Sequence, residues 1–151
     1  MGKIKLEKLL ISKDRVDYWF TTTEDLRRFF KSPMHLFMQY DRCIECVPES
    51  ILVIPFLGNV MQIAWLTDAE VCVDKVDSTF YRSLQRLRDA YQKMYPDCPL
   101  SGTLRAECED NDASATAKSA QMFTGGMDAV TTFIRHADEK PLLILEYGFY
   151  Q

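Results

Sequence analysis

The feature that most constrains the fold is an apolar stretch that runs into two glycines and is followed by a helical pattern. The stretch 120–123 precedes Gly125 and Gly126. After Pro141, the continuous apolar run 142–145 is typical of a buried parallel strand. The sequence therefore predicts a strand, a glycine-rich turn, a helix and a second strand, in that order. Apolar residues recur at helical spacing at Ala129, Val130, Phe133, Ile134 and Ala137.

A glycine turn between a strand and a helix is suited to binding phosphate. Glycine has no Cβ, so the backbone can approach an anion closely. The N–H groups in the first turn of the following helix then point toward that anion. The turn at Gly125 and Gly126 is therefore a candidate phosphate cradle.

Residues 124–129 resemble a loop of a known enzyme family. Their sequence, Thr-Gly-Gly-Met-Asp-Ala, is similar to the Ser-Gly-Gly-x-Asp-Ser loop of the PP-loop ATP pyrophosphatases. These are adenine nucleotide α-hydrolase-like proteins with a parallel α/β unit of the HUP type. The wider stretches 123–136 and 142–148 are similar to a poorly characterised bacterial branch of the family. The resemblance implies that ATP and Mg²⁺ are the cofactors, and that the nucleotide-binding residues are Thr124, Gly125, Gly126, Met127, Asp128 and Ala129.

The same resemblance implies a function. The chain would be the N-terminal portion of an ATP-dependent biosynthetic or ligase-like enzyme, which adenylates a small-molecule substrate and releases pyrophosphate. Thr124 keeps the hydroxyl of the family's first serine, whereas Ala129 lacks the second hydroxyl and so removes one donor to phosphate. The sequence identifies neither the substrate nor a catalytic residue.

The family fold includes further strands and helices, among them those that hold the adenine, and they do not occur within the 151 residues. We therefore expect this chain to be inactive by itself. An apolar strand with unpaired backbone groups is a template for pairing with another chain. The sequence predicts that residues 142–147 form a homodimer contact or meet a missing C-terminal domain.

The alternative is a non-catalytic interaction or structural domain. In that case the two glycines form only a tight turn. Asp128 is then simply a first-turn carboxylate that interacts favourably with the helix dipole.

The whole chain predicts a mixed α/β protein in three parts. An α+β domain at 1–109 is followed by a linker at 110–118 and by the partial nucleotide-binding segment at 119–151. The linker is acidic, and its small residues could not form a core. Strands are predicted at 3–12 (irregular near Lys8), 16–21, 34–41, 70–74 and 103–109, and the first two are expected to pair as a hairpin.

Helices are predicted after Thr22 or Thr23, at 51–66 with a kink or late start at Pro55, and at 78–94 with Phe80, Leu84, Leu87, Tyr91 and Met94 inward. For 51–66 the alternative is a β-hairpin centred on Gly58 and Asn59, but the nearly continuous apolar residues favour a buried helix.

Charge and hydropathy argue against two classes of partner, although a local basic patch around Arg27, Arg28 and Lys31 or around Arg82, Arg86 and Arg88 stays compatible with the charge. The net charge of −4 argues against a nucleic-acid binder, whose surface carries a basic patch. The most apolar stretch, 51–66, contains Pro55, Gly58, Asn59 and Gln62 and is too short to span a bilayer. We therefore expect a cytoplasmic protein with no membrane contact.

The cysteines and histidines indicate little chemistry. Five cysteines, an odd number, fit a reducing compartment. Cys43 and Cys46 have the spacing of a zinc or redox pair, but no second pair with matching spacing follows, so we expect no metal site. His35 is a candidate general base within a predicted strand, and His136 lies near a helix end where a cation would interact with the dipole.

Overall fold

The structure is a computed structural model of the chain, and it describes residues 2–111 and 119–145. The chain divides into two compact units after Asn111, two residues beyond the expected domain end at 109. We call residues 2–111 the N-terminal unit and residues 119–145 the C-terminal unit. Most of the predicted linker, at 112–118, lies outside the described residues, as does the end of the predicted 142–147 contact strand.

The N-terminal unit is a five-stranded mixed sheet with helices, which confirms the mixed α/β class. The strands lie in the order β3-β2-β1-β4-β5; β1 pairs parallel with β4, and β4 with β5, whereas β2 is antiparallel to both of its neighbours. The elements are β1 (Lys3–Ser12), β2 (Arg15–Thr22), a 3-10 turn (Glu24–Phe29), β3 (His35–Gln39), α1 (Glu49–Leu52), α2 (Ile54–Thr67), β4 (Glu70–Asp77), α3 (Ser78–Met94) and β5 (Thr103–Glu109).

One face of the sheet carries the core. Along β2, Val16, Tyr18 and Phe20 are buried, while the alternate side chains lie on the other face and are more exposed. Helix α2 is apolar almost all round and is buried against this inner face. Its buried side chains are Phe56, Leu57, Val60, Met61, Ala64 and Trp65. The β1–β2 hairpin is confirmed, and so is the irregularity near Lys8.

Several boundaries differ from the prediction. The apolar segment forms two helices, because the turn at Val53 separates α1 from α2 and Pro55 then lies in the first turn of α2. Strand β4 extends to Asp77, three residues further than expected, because Val76 and Asp77 are also buried.

The inward stripe of α3 was predicted incorrectly at two positions. Leu87 and Met94 are exposed, whereas Leu84 is buried and Tyr81 and Tyr91 pack against the core. The buried face of α3 is therefore rotated toward Tyr81. The core contacts α3 only on the face that carries Tyr81, Leu84 and Tyr91. The hydrophobicity of Leu87 therefore did not decide whether it is buried.

Asp77 ends β4 and also begins α3. Its carboxylate accepts a 2.7 Å hydrogen bond from the Phe80 N–H, as an N-cap does. Asn111 donates through Nδ2 to Asp77, at 3.1 Å, and to the hydroxyl of the fully buried Ser50, at 3.0 Å. The hydrogen bonds to its carboxylate hold the pKa of Asp77 below its usual range, and the bond from Asn111 contributes most to this lowering.

Gly102 lies where the chain enters β5 and approaches the end of α2. A Cβ at this position would stand 2.1 Å from the carbonyl oxygen of Ala64. The neighbouring Ser101 N–H donates to the Trp65 carbonyl at 3.1 Å. Only glycine permits this close approach of backbone to backbone.

The C-terminal unit contains the predicted order of elements. Strand β6 (Ala120–Met122) is followed by α4 (Met127–Arg135), a 3-10 turn (Ala137–Glu139) and β7 (Leu142–Ile144). Strands β6 and β7 pair in parallel, in the register Ala120 to Leu142 through Met122 to Ile144. All three residues of β7 are exposed in the described residues. Across the described part of the chain, no helix is both long and apolar enough to cross a membrane.

Candidate functional site

The candidate phosphate loop, residues 123–129, runs from the end of β6 into the first turn of α4. Gly125 has a φ of +76°, in the left-handed region that favours glycine. Gly126 is the N-cap of α4, with φ −71° and ψ 164°, and its carbonyl accepts the first helical hydrogen bond from the Val130 N–H at 3.0 Å. The two glycines therefore serve different purposes, because one turns the chain and the other opens the helix.

The space above the two glycines is open. An added Cβ would meet no atom within 4 Å at Gly125, and only the Thr124 hydroxyl, at 3.7 Å, at Gly126. Folding within the C-terminal unit therefore does not require the absence of a side chain at Gly126. A missing side chain there leaves room for a group that approaches from outside the chain.

The start of α4 has no side-chain cap. No side chain among the described residues accepts a hydrogen bond at this helix terminus. The first amide groups of a helix have no partner within the helix, and a capping side chain or a ligand satisfies them. Thr124 and Asp128 are exposed on either side of the two glycines.

The six residues expected from the sequence lie together in this loop and the first turn of α4. Five of them are exposed. Ala129 is half-buried, and its carbonyl accepts a hydrogen bond from Gln121. Met127 is 85% exposed, so its side chain has no packing role within the described unit. Within residues 124–129 the turn offers one side-chain hydroxyl, that of Thr124, because position 129 is an alanine.

Gln121 is a further residue of this turn that the sequence pattern did not predict. Its Nε2 donates to the Ala129 carbonyl at 2.6 Å and so ties β6 to the first turn of α4. Its Oε1 is buried and has no hydrogen-bond partner among the residues that the structure describes. A polar residue inside a short apolar strand was the available signal, because such a residue is seldom buried without a specific partner.

The other side of α4 is held by aromatic packing. The rings of Phe123 and Phe133 meet edge to face with centroids 5.9 Å apart. The Phe123 N–H donates to the Ile144 carbonyl at 2.8 Å, which extends the parallel ladder up to the loop. The start of the loop is thus fixed by both β7 and α4.

A bound Mg²⁺ would have a single protein carboxylate in this loop, that of Asp128. Among the residues that the structure describes, no group of three or more histidine, cysteine, aspartate or glutamate side chains is arranged to hold a metal ion. Mg²⁺ is commonly bound by one or two carboxylates together with substrate phosphates and water. The loop therefore fits a magnesium ion that arrives with a nucleotide, and does not fit one bound by protein alone.

His35 lies in an ion-pair cluster of the N-terminal unit. Its Nε2 is 2.7 Å from Asp17 Oδ1, and Asp17 also accepts two hydrogen bonds from Arg15, at 2.6 and 2.9 Å. The Arg15 guanidinium first, and His35 with it, lower the pKa of Asp17. The ring of His35 stacks on Trp19, with centroids 4.2 Å apart. The Asp17 carboxylate is thus hydrogen-bonded to His35 Nε2. The cluster therefore has the features of a structural network on the outer face of the sheet.

The second histidine contacts a neighbouring carboxylate, and the two cysteines of the predicted pair are free. His136 follows α4, and its Nδ1 is 2.7 Å from Glu139 Oε1, which lowers the pKa of Glu139. Cys43 and Cys46 are exposed free thiols.

The chain was compared with protein-family models, with curated proteins and with solved structures, and none of the three comparisons finds a match. The geometry of the loop is therefore the basis for assigning a function.

Proposed function

We propose that the C-terminal unit binds the phosphate groups of ATP at residues 124–129 and belongs to an adenylating enzyme that releases pyrophosphate. The observation that supports this most is the uncapped start of α4 behind two glycines, with open space where their side chains would be. The resemblance of the loop to that of the PP-loop ATP pyrophosphatases suggests the same ligand.

Each residue of the loop has a separate role in this proposal. The N–H groups at the start of α4 donate to phosphate oxygens, and the Thr124 hydroxyl adds a side-chain donor. Gly125 supplies the left-handed turn, with φ +76°, that leads the chain from β6 into α4. Asp128 binds the magnesium ion that accompanies the nucleotide. ATP bound here would supply the adenylyl group, and this chain's residues would bind and orient its phosphates.

The parallel β6–β7 pair supports a larger α/β fold around this loop. Parallel sheets occur almost only where both faces are covered, and Leu142, Leu143 and Ile144 lie exposed on both faces of β7. In the proposal, a C-terminal domain or a second copy of the chain covers this strand. The five free cysteines are in keeping with a cytoplasmic enzyme.

The exposed β7 also favours a second candidate, a non-catalytic interaction domain that uses this apolar strand to hold a partner. A contiguous apolar surface of this kind commonly marks an interaction site. The two candidates differ in whether the loop has any affinity for phosphate.

A calorimetric titration of the chain with pyrophosphate, ATP and adenosine, each with Mg²⁺, tests the proposal. We expect pyrophosphate and ATP to bind and adenosine to bind far more weakly, because the described loop contacts only phosphate. Asp128→Asn should weaken the magnesium dependence of binding, whereas Asp138→Asn, outside the loop, should leave it unchanged. Failure of both pyrophosphate and ATP to bind at millimolar concentration would exclude phosphate binding by the loop and leave the interaction domain.

A further inference from the structure

A second candidate site lies in the N-terminal unit, between β1 and β4. These neighbouring strands pair only through Lys3–Lys5 and Glu70–Cys72. Beyond this point no β1–β4 pair continues within the described sheet. We call the resulting cavity, of about 40 Å³, the β1–β4 crevice; its lining residues are Leu6, Glu7, Lys8, Leu9, Glu49, Val53, Val73, Asp74 and Lys75.

Two β-bulges border the crevice, one in each strand. In β1, Leu6 and Lys8 face consecutive residues of β2, so Glu7 is an extra residue. In β4, Cys72 and Lys75 face Arg105 and Glu107 of β5, so this segment also contains one extra residue. A bulge bends its strand and interrupts pairing, and bulges are frequent beside functional sites. Both strands thus bend at the place where they separate.

The position of the crevice in the sheet is a second indication. From β1 the chain continues to β2 on one side of the strand pair, whereas from β4 it continues through α3 to β5 on the other side. Neighbouring strands whose connections run in opposite directions form a switch point, where open α/β sheets commonly bind ligands. The opening lies along the middle of the parallel strands β1 and β4, at 6–9 and 73–75.

The crevice has an apolar floor and a charged rim. Val53 and Val73 are buried, and Leu6 and Leu9 are partly buried in the core cluster. At the rim, Lys5 and Thr21 engage Glu7 with 2.8 and 2.9 Å hydrogen bonds.

Three charged side chains at the rim form no ion pair among the described residues. Lys75 pairs with Glu109 at 3.7 Å, but Lys8, Glu49 and Asp74 form no ion pair with any residue in the described ranges. The rim therefore presents one ammonium group and two carboxylates around a small apolar floor.

The size and charges define the ligand. A cavity of about 40 Å³ has room for about three water molecules, so it encloses a group no larger than a small organic molecule. Within the described residues, the rim carboxylates do not form a group that could hold a metal ion.

We propose that the β1–β4 crevice binds a small zwitterionic amino acid. Its ammonium group lies near Asp74 and Glu49, its carboxylate lies near Lys8, and its side chain lies on the floor formed by Val53 and Val73. Main-chain groups of 6–9 and 73–75, which have no partner strand across the crevice, supply further hydrogen bonds. This site is separate from the phosphate loop and does not depend on the proposed function.

A heteronuclear NMR titration of the whole chain with L-alanine tests the site. We expect shifts at the amides of 6–9 and 73–75. Propionate, which lacks the ammonium group, and ethylamine, which lacks the carboxylate, should bind about tenfold more weakly, because each leaves one charge-assisted contact unmade.

Charge-neutralising variants give the matched comparison. Asp74→Asn and Lys8→Gln should each weaken L-alanine binding about tenfold. Asp89→Asn and Lys93→Gln, exposed on α3, should leave it unchanged. All four positions are exposed, and the amide spectra report whether each variant is folded. Absence of localised shifts at tens of millimolar L-alanine, or equal affinity in Asp74→Asn and the parent, would overturn the proposal.

Discussion

Replacing Gly126 by valine should abolish binding of pyrophosphate and ATP while leaving the C-terminal unit folded. Phosphate binding at the start of α4 requires the ligand to approach the backbone, and a branched side chain at the N-cap occupies that approach. Each lost N–H contact to a charged phosphate oxygen corresponds to about 1.5–3 kcal/mol, or roughly ten- to a hundredfold in affinity.

The structure predicts a small effect of this change on stability. Gly126 has φ −71° and ψ 164°, which valine adopts without strain, and a Cβ there meets only the Thr124 hydroxyl, at 3.7 Å. Removing a flexible glycine at a compatible conformation stabilises by about 0.4–1 kcal/mol through the unfolded chain. Valine is a poorer N-cap than glycine by about 1 kcal/mol. The two terms offset, so the net change is within about 1 kcal/mol.

The assay is a calorimetric titration with magnesium pyrophosphate, paired with a thermal melt of each variant. Gly58→Val is the matched control, because a Cβ at Gly58 in α2 meets nothing within 4 Å and the position lies in the other unit. Gly125→Ala provides a contrast in stability: at φ +76° it should cost about 1–2 kcal/mol. If Gly126→Val is folded and binds pyrophosphate as tightly as the parent, the loop is not the phosphate site.

Three further changes test the fold. Gly102→Ala should lower the free energy of unfolding by several kcal/mol, because its Cβ would stand 2.1 Å from the Ala64 carbonyl; urea unfolding measures this, and a change below about 1 kcal/mol would contradict the close approach. Asp77→Ala should cost about 1 kcal/mol at neutral pH. Because the folded pKa of Asp77 is lowered, this contribution is present above the unfolded pKa of about 3.9 and is lost as the pH falls toward the folded pKa, so a difference that stays constant from neutral pH to about pH 2 would argue against it. Finally, light scattering should show that the chain self-associates, and Ile144→Lys should weaken that association or make the chain insoluble; a monomeric parent at high concentration would show that β7 mediates no contact.

The sequence predicted those parts of the structure that depend on local patterns. The alternation in 3–12 and 16–21 predicted the β1–β2 hairpin, and short-range signals predicted the 78–94 bounds of α3. The strand, glycine turn, helix and strand at the C-terminal end follow from the same kind of pattern. These patterns are informative because residues within one or two turns of each other determine whether a helix or strand can form.

The tertiary structure decided the features that join distant parts of the chain. The hydrogen bond from Asn111 to Ser50 spans 61 residues and that to Asp77 spans 34, so no local pattern indicates either one. The partial burial of Tyr81 and the exposure of Leu87 depended on where the core lies against α3.

The two candidate sites differ in the same way. The candidate phosphate loop could be predicted from the sequence because its residues are consecutive. A glycine pair also indicates a particular backbone conformation. The β1–β4 crevice was not visible, because residues 6–9 and 73–75 become neighbours only when β1 and β4 pair. The separation of the two strands depends on the bulges that each forms with a different partner strand, and strand pairing is fixed by the whole sheet.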